Sequence, residues 1–143
     1  MRSRIPKEQI EHLGRVPLFS GCSQRELRAI AQLGTPVDAE EGAVLTQQGK
    51  PGREFFLVLD GVASCRVGSK EVKRFRPWGY FGELALLHGG IRTADVVAIT
   101  PMELLVFDAR EFRSMLTTTP SIGVKMLANL AERLTEADVQ YTH

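Results

Sequence analysis

Turn signals recur about every ten residues from Thr35 to about Phe107, and they constrain the fold of this chain more than any other feature. Short runs rich in β-branched and aromatic residues lie between them, such as EFFLVLD, ADVVAI and ELLVF. The turns are Glu41-Gly42, Gln48-Gly49, Pro51-Gly52, Asp60-Gly61, Gly68-Ser69, Pro77 with Gly79, and Gly89-Gly90. Closely spaced short strands are typical of a β-sandwich or barrel. The lack of helical runs between them disfavours a parallel, Rossmann-type sheet.

Two of these turns predict β-hairpins. Asp60-Gly61 joins two strong strand runs, and Asp-Gly is a preferred pair for a two-residue hairpin turn. Gly68-Ser69-Lys70 predicts a second, shorter hairpin. We therefore expect the strands on either side of each turn to pair with one another.

Helical segments precede the β region. The sequence SQRE at 23–26 is a capping box, in which the serine and the glutamate each satisfy a backbone N–H at the helix start. Leu27, Ile30 and Ala31 follow at helical spacing, and Gly34 ends the predicted helix. The earlier run KEQIEHL predicts another short helix.

Two helices are predicted after the β region. The sequence DARE at 108–111 is a second capping-box pattern, and Thr119 and Pro120 suit the start of a last helix. That helix is amphipathic, with apolar residues at three- and four-residue steps: Met126, Leu127, Leu130, Leu134 and Ala137. Its apolar stripe must pack on the β region, on a ligand, or on a second copy of the chain.

Composition excludes several classes of function. Lys plus Arg is 18 and Asp plus Glu is 17, so the net charge of +1 gives no general drive toward nucleic acid or an anionic membrane. Cys22 and Cys65 lack the spacing of a metal site and are expected to be reduced, structural residues. The start of the chain lacks the apolar region of a signal peptide, and no run approaches the roughly 20 residues of a membrane span. We expect a cytoplasmic protein.

Catalysis is not predicted. The histidines, His12, His88 and His143, are scattered, and no motif pairs a nucleophile with a base or assembles metal ligands. The sequence therefore predicts a protein that is not an enzyme and needs no cofactor.

One acid and one arginine stand out in the stretch GYFGELALLHGGIRTADVVA, from 79 to 98. Glu83 and Arg92 lie nine residues apart among apolar residues and glycines. They could form a surface ion pair of little energetic value. They could instead hold one small ligand, because a guanidinium fork suits phosphate oxygens and a carboxylate accepts from a hydroxyl. A short helix beginning after Gly82 would add free backbone N–H groups.

The same stretch closely resembles the phosphate-binding cassette of cyclic-nucleotide-binding domains. The family pattern is roughly F-G-E-L-A-L-L, a short loop, R, then T, S or A, then A-x-V-x-A. The matching residues are Phe81, Gly82, Glu83, Leu84, Ala85, Leu86, Leu87, Arg92, Thr93, Ala94, Val96 and Ala98. The segments VPLFSGCSQREL and EGAVLTQQGKPGREFFLVLDGVASCRV also resemble the family's entry helix and first strands.

This resemblance implies a fold that is mainly β with flanking α: a jelly-roll-like, eight-stranded β-roll with N-terminal helices and two C-terminal helices. The chain would be a single domain over 1–143, with helices in 1–34, the β-roll in 35–107 and C-terminal helices in 108–143. The cassette would occupy 81–98.

The resemblance also implies roles for the site residues. Glu83 would bind the ribose 2′-hydroxyl and Arg92 the cyclic phosphate, while Thr93 could meet the phosphate or the 2-amino group of guanine. Backbone groups of Gly82, Leu84, Ala85 and Ala94 would complete the cradle. Arg133 or a nearby residue on the last helix is a candidate lid over the purine.

Several cassette residues leave alternatives open. The family usually reads G-D-x-F-G-E, whereas this chain reads WGYFGE at 78–83, with Gly79 and no aspartate before Phe81. His88 occupies a loop that often carries proline, where solvation is the simpler interpretation and ligand contact or pH regulation the other. Trp78, Tyr80 and Phe81 could stack on a base, but core packing is the simpler interpretation.

The leading functional hypothesis is a regulatory sensor in which cAMP or cGMP gates the C-terminal helix as a lid. The alternative is a degenerate, non-binding copy that serves as a protein-interaction or dimerisation module. Predicted partners are the cyclic nucleotide and either an effector domain or a second copy through the last helix. Direct nucleic-acid binding and a membrane segment are not predicted.

Overall fold

The computed structural model describes residues 7–141, apart from the side chains at 8, 9 and 136–141. The predictions for Ala137, for His143 and for the chain before residue 7 lie outside the described residues. The helices are α1 (Lys7–Leu13), a 3-10 turn (Pro17–Phe19), α2 (Gln24–Leu33), α3 (Glu83–Leu87), α4 (Ala109–Thr118) and α5 (Pro120–Tyr141). The strands are β1 (Thr35–Ala39), β2 (Val44–Thr46), β3 (Glu54–Asp60), β4 (Ala63–Val67), β5 (Lys70–Phe75), β6 (Tyr80–Phe81), β7 (Asp95–Ala98) and β8 (Met102–Asp108).

The strands of residues 35–108 form two antiparallel sheets. The first has the order β1-β8-β3-β6 and the second β2-β7-β4-β5. The predicted fold, mainly β with eight strands, N-terminal helices and two C-terminal helices, is confirmed. Turn spacing revealed six of these strands, whereas β1 contains Pro36 and β6 has two residues, too short for a periodic signal.

The first sheet is covered on both faces, which explains the uninterrupted apolar run of β3. Phe55 and Leu57 pack with the helices in one cluster, while Phe56 and Val58 pack against the second sheet in another. Side chains alternate along a strand, so a strand buried on both faces is apolar at every position. The protein therefore has three layers: helices, first sheet and second sheet.

The prediction of a hairpin at Asp60-Gly61 is wrong. β3 lies in the first sheet and pairs with β8 and β6, whereas β4 lies in the second and pairs with β5 and β7. The turn instead carries the chain between the layers, because β3 needs apolar contacts on both faces. Gly61 has φ 87°, and a Cβ added there would lie 2.3 Å from the Pro101 carbonyl oxygen, so a side chain would clash. The hairpin at Gly68-Ser69 is confirmed by the pairing of Val67 with Lys70.

The two capping boxes form as predicted. Ser23 Oγ accepts from the Glu26 N–H at 3.1 Å, and Glu26 Oε1 accepts from the Ser23 N–H at 2.8 Å. Asp108 and Glu111 make the equivalent pair of bonds at 2.8 and 2.9 Å. Each box satisfies helix-end donors from neighbouring residues alone, so it is readable from the sequence.

The last helix, α5, begins at Pro120 as predicted, but its apolar residues do not form one buried stripe. Ile122 and Met126 enter the core. Val124 and Leu127 are 65% exposed and Leu134 is 68% exposed. The prediction that α5 meets a second copy or an effector stays a prediction.

Candidate functional site

A cavity of about 290 Å³ lies between α3 and the second sheet. All seven residues predicted for the site line it: Gly82, Glu83, Leu84, Ala85, Arg92, Thr93 and Ala94. The sheets and α5 supply the other lining residues: Thr46, Cys65, Val67, Val72, Lys73, Phe75, Phe81, Val96 and Arg133. The short chain segment around α3 thus forms one wall, and strands distant in sequence form the other.

Arg92 is buried and held by two backbone carbonyls. Its Nη1 donates to the Gly82 carbonyl at 3.1 Å and its Nη2 to the Glu54 carbonyl at 2.9 Å. The side chain is 6% exposed, and burial lowers its pKa, although the charges of Glu54 and Glu83 act in the opposite direction. A guanidinium has five N–H donors, so two such bonds leave donors for an anion. The fork is therefore oriented before any ligand arrives.

Gly52 creates the space that Arg92 occupies. A Cβ on Gly52 would overlap Nε and Cζ of Arg92. The Gly52 N–H donates to the Gly90 carbonyl at 2.8 Å, and the Arg92 N–H donates to the Lys50 carbonyl at 2.9 Å, so the two segments run side by side. The sequence marks Pro51-Gly52 only as a turn, because nothing local reveals a neighbour forty residues along the chain.

Glu83 begins α3 and points into the protein. It is 3% exposed, and Gly82 before it has φ 96°, a left-handed conformation that favours glycine. A Cβ on Gly82 would also lie 2.6 Å from the Glu54 carbonyl oxygen. Local backbone geometry and close packing therefore both require glycine at this position.

One carboxylate oxygen of Glu83 lacks a hydrogen-bond donor. Its Oε1 lies 3.7 Å from Nη1 of Arg133 on α5. Its Oε2 is buried and has no hydrogen-bond partner within the described part of the chain. Buried polar groups normally have partners, so an orphaned carboxylate oxygen on a residue that lines a cavity indicates a missing donor.

The surface ion-pair interpretation of Glu83 and Arg92 is wrong. Both side chains are buried, and no Glu83–Arg92 ion pair occurs within residues 7–135, where side chains are described nearly throughout. Arg92 is held by carbonyls, whereas the contact of Glu83 is with Arg133. The two groups therefore remain separately directed at the cavity.

The pKa of Glu83 is raised, chiefly by burial, despite opposing effects from its own backbone N–H and from Arg133, Lys73 and Arg92. A raised carboxyl pKa means that the folded state binds the proton more tightly than the unfolded state. Stability therefore falls as pH rises from the ordinary glutamate range through the raised value, and stays lower above it.

Glu83→Gln is expected to stabilise the ligand-free protein at neutral pH by on the order of 1 kcal/mol, because it removes a buried charge. Thermal unfolding measured across pH should show that stability falls less with rising pH in Glu83→Gln than in wild type. The exposed Glu103→Gln is the matched control and should retain that decline. Equal stability of Glu83→Gln and wild type across the whole range would contradict this account.

The residues after Arg92 complete the wall beside α3. The Thr46 hydroxyl donates to the Ala94 carbonyl at 2.9 Å, which ties this segment to β2. Thr93 is exposed and lines the cavity. Leu84 and Ala85 lie in the first turn of α3, where backbone N–H groups have no carbonyl partner within the helix.

Three side chains of α5, spaced four residues apart, contact different parts of the body. Lys125 Nζ donates to the Ser20 hydroxyl at 2.7 Å, and Asn129 Nδ2 donates to the Tyr80 hydroxyl at 2.8 Å. Arg133 then reaches Glu83. The predicted lid residue thus contacts the site, and the helix face that carries it also contacts the N-terminal helices.

Of the aromatic and cysteine side chains near the cavity, some pack in the core and others line the cavity. Trp78 stacks on His12 with ring centroids 4.5 Å apart, and Tyr80 packs against Phe55, so both serve the core rather than the cavity. Phe81 lines the cavity and stacks on Phe56. Free Cys65 also lines the cavity, which its sequence context did not reveal.

His88 is exposed and is not among the residues that line the cavity. Within the described residues there is no cluster of three or more His, Cys, Asp or Glu side chains placed to hold a metal. In the same part of the chain no helix combines the length and hydropathy needed to span a membrane.

Comparisons with known proteins agree with this geometry. The family model for the cyclic nucleotide-binding domain matches residues 36–119. A cAMP-dependent protein kinase regulatory subunit from Schizosaccharomyces pombe is 34% identical over 116 residues, which are 80% of this chain and 28% of that protein.

Solved structures share the fold. The catabolite activator protein of Thermus thermophilus superposes with a TM-score of 0.81 at 28% identity, over 87% of this chain and 61% of the other. PfPKA-R with cAMP bound superposes with a TM-score of 0.78 at 25% identity, over 92% and 47% of the two chains. This chain therefore spans less than two thirds of each of these relatives.

Proposed function

The chain belongs to the cyclic nucleotide-binding domain family, and from that premise we propose that its cavity binds a cyclic purine nucleotide, cAMP or cGMP, as a regulatory signal. The observation that carries the proposal is the pairing, in one cavity, of an oriented guanidinium with an orphaned buried carboxylate oxygen. A ligand that satisfies both must present an anion and a hydroxyl donor close together. A cyclic nucleotide does so through its phosphate and its ribose 2′-hydroxyl.

The proposed contacts divide between the two charged residues. Arg92 receives the phosphate on the N–H donors that its carbonyl partners leave free. Glu83 accepts the ribose hydroxyl on Oε2, which removes the cost of an unpaired buried oxygen. Backbone N–H groups of Leu84 and Ala85 and groups of Gly82, Thr93 and Ala94 complete the phosphate cradle.

The dimensions of the cavity suit a mononucleotide. Its volume of about 290 Å³ is near the lower end of the range for small-molecule sites. Among the relatives, one is a cAMP-dependent kinase regulatory subunit and one was solved with cAMP bound. Those names support the same ligand class here, while effector domains of this chain remain a proposal because the relatives are longer.

Isothermal titration of the chain with cAMP and cGMP tests this proposal, with 5′-AMP as a control that lacks the cyclic phosphate. Saturable binding of a cyclic nucleotide well below millimolar concentration is expected. No heat with either cyclic nucleotide at millimolar ligand would remove the proposal. If the chain gives no such heat and also sediments as a dimer, the alternative function is favoured. That alternative is an interaction module that associates through exposed Val124, Leu127 and Leu134.

We further propose that the nucleotide gates α5 through Arg133. Arg133 shares Glu83 with the incoming ribose, so ligand binding brings a competing hydrogen-bond donor to the carboxylate that Arg133 contacts. A ligand shifts a helix position only if its contacts differ between the two positions. The Arg133–Glu83 contact supplies such a difference.

Amide hydrogen exchange along α5 should change on nucleotide binding around 129–135, and Arg133→Met should abolish most of that change. Lys125→Met is the control, since Lys125 contacts Ser20 on the body rather than the site. Identical exchange in α5 with and without saturating nucleotide would exclude the gating proposal but leave ligand binding intact.

A further inference from the structure

The end of the cavity far from Arg92 is formed by β5. Strand order in the second sheet is β7-β4-β5, and Lys73 on β5 lies directly opposite Cys65 on β4. Adjacent strands are about 4.8 Å apart, so β5 lies roughly 10 Å from β7, the strand that follows Arg92 and Thr93. A ligand whose phosphate meets Arg92 therefore directs its opposite end toward Lys73.

Lys73 offers a cation at this end. Its Nζ lies 4.8 Å from the centroid of the Phe75 ring. Over the residues whose side chains are described, no carboxylate lies within salt-bridge distance of it. Partial burial and then the charge of Arg133 lower the pKa of Lys73, although Cys65 and Glu83 act in the opposite direction.

The rest of this end is suited to the flat faces of a base. Val67 and Val72 line the cavity and are 44% and 53% exposed, so their apolar surface is available to a planar ring. Besides Arg92, the cationic side chains that line the cavity are Lys73 and Arg133, of which Arg133 also contacts Glu83. Both can only donate hydrogen bonds.

Donor-only side chains discriminate between purines. Guanine presents two acceptors, O6 and N7, along one edge, whereas adenine presents N7 beside an amino donor. An ammonium can donate to both guanine acceptors, but beside the adenine amino group it faces another donor. Hypoxanthine has the same O6 and N7 edge as guanine and lacks the 2-amino group.

Resting on the proposed function, we infer that the cavity selects a 6-oxopurine cyclic nucleotide and that Lys73 reads its O6 and N7 edge. This role is separate from that of Thr93, which the family resemblance makes a candidate for the phosphate or the 2-amino group. Cyclic IMP separates the two residues, because it keeps the edge read by Lys73 and lacks the amino group.

Titration of the full chain with cGMP, cIMP and cAMP tests the inference. Wild type should bind cGMP and cIMP at least about tenfold more tightly than cAMP. Lys73→Met keeps the aliphatic stem and removes the donors, so it should weaken cGMP and cIMP about tenfold and leave cAMP within about twofold. Lys70→Met, on the same strand but outside the cavity lining, is the matched control and should leave all three affinities unchanged.

The titrations distinguish a failure of the base-reading role from a failure of the proposed function. If cAMP binds as tightly as cGMP, or if Lys73→Met weakens all three nucleotides equally, the base-reading role is wrong and nucleotide binding stands. If cGMP binds tightly and cIMP as weakly as cAMP, selectivity belongs to the 2-amino group and not to Lys73. If no cyclic nucleotide binds to a folded chain, the proposed function fails together with this inference.

Discussion

Replacing Arg92 with alanine is expected to lower cyclic-nucleotide affinity by at least a hundredfold. Hydrogen bonds to a charged group contribute about 1.5–3 kcal/mol each, and the guanidinium fork can make two to the phosphate. Every 1.4 kcal/mol corresponds to about a factor of ten in affinity. Two lost bonds in a buried site therefore correspond to a loss of about two to four orders of magnitude.

The charge alone should not restore binding. Arg92→Lys keeps a cation, but an ammonium cannot bond the Gly82 and Glu54 carbonyls and also present a planar pair of donors to a phosphate. Its affinity is expected to fall between those of wild type and Arg92→Ala. Titration calorimetry measures all three proteins with the same nucleotide.

A stability control is needed because Arg92 also satisfies those two carbonyls. Arg92→Ala is expected to lose about 1–3 kcal/mol of stability, so unfolding curves must show that the tested protein is folded. The exposed Arg110→Ala on α4 is the matched control and should match wild type in both measurements. A folded Arg92→Ala protein that binds within threefold of wild type would place the phosphate elsewhere.

Replacing Gly52 with alanine is expected to impair binding almost as strongly as removing Arg92. The new methyl group would overlap the guanidinium, which is clamped by the Gly82 and Glu54 carbonyls. The side chain can leave by rotating, so the β-roll should still fold, but the oriented fork is lost. Gly52 thus positions Arg92 without touching the ligand.

A double-mutant cycle tests this positioning role. Gly52→Ala should cost about a hundredfold in wild type but almost nothing in the Arg92→Ala background, because residues that act through one group are not additive. Gly123→Ala is the control, since its Cβ would make an ordinary 3.7 Å contact with Leu116 inside a helix. An equal affinity loss from Gly52→Ala in both backgrounds would show that Gly52 acts independently of Arg92.

The first wall of the candidate site was predictable from the sequence because it is nearly continuous in the chain. Glu83, Arg92 and the residues between them lie on one short helix and its following loop, and family resemblance identified their pattern. The capping boxes and the Gly68-Ser69 hairpin were predictable for the same reason. Each depends on bonds between residues close in sequence.

The second wall was not predictable. Cys65 and Lys73 line the cavity because β4 and β5 form the sheet on its other side, and Gly52 meets Arg92 because two distant segments run together. The strand pattern showed which residues alternate in and out of a sheet, but not which strands are neighbours. The mistaken hairpin at Asp60-Gly61 has the same cause.

The sequence by itself determined the family, the mainly β fold and the seven residues around α3 that face the cavity. Only the tertiary structure decided that Glu83 and Arg92 do not pair with each other, that Gly52 makes room for Arg92, and that Lys73 lines the same cavity. The physical reason is the distance along the chain between the residues that interact. Turns, caps and one short helix depend on local geometry, whereas burial and the partners of a charge depend on which distant segments pack together.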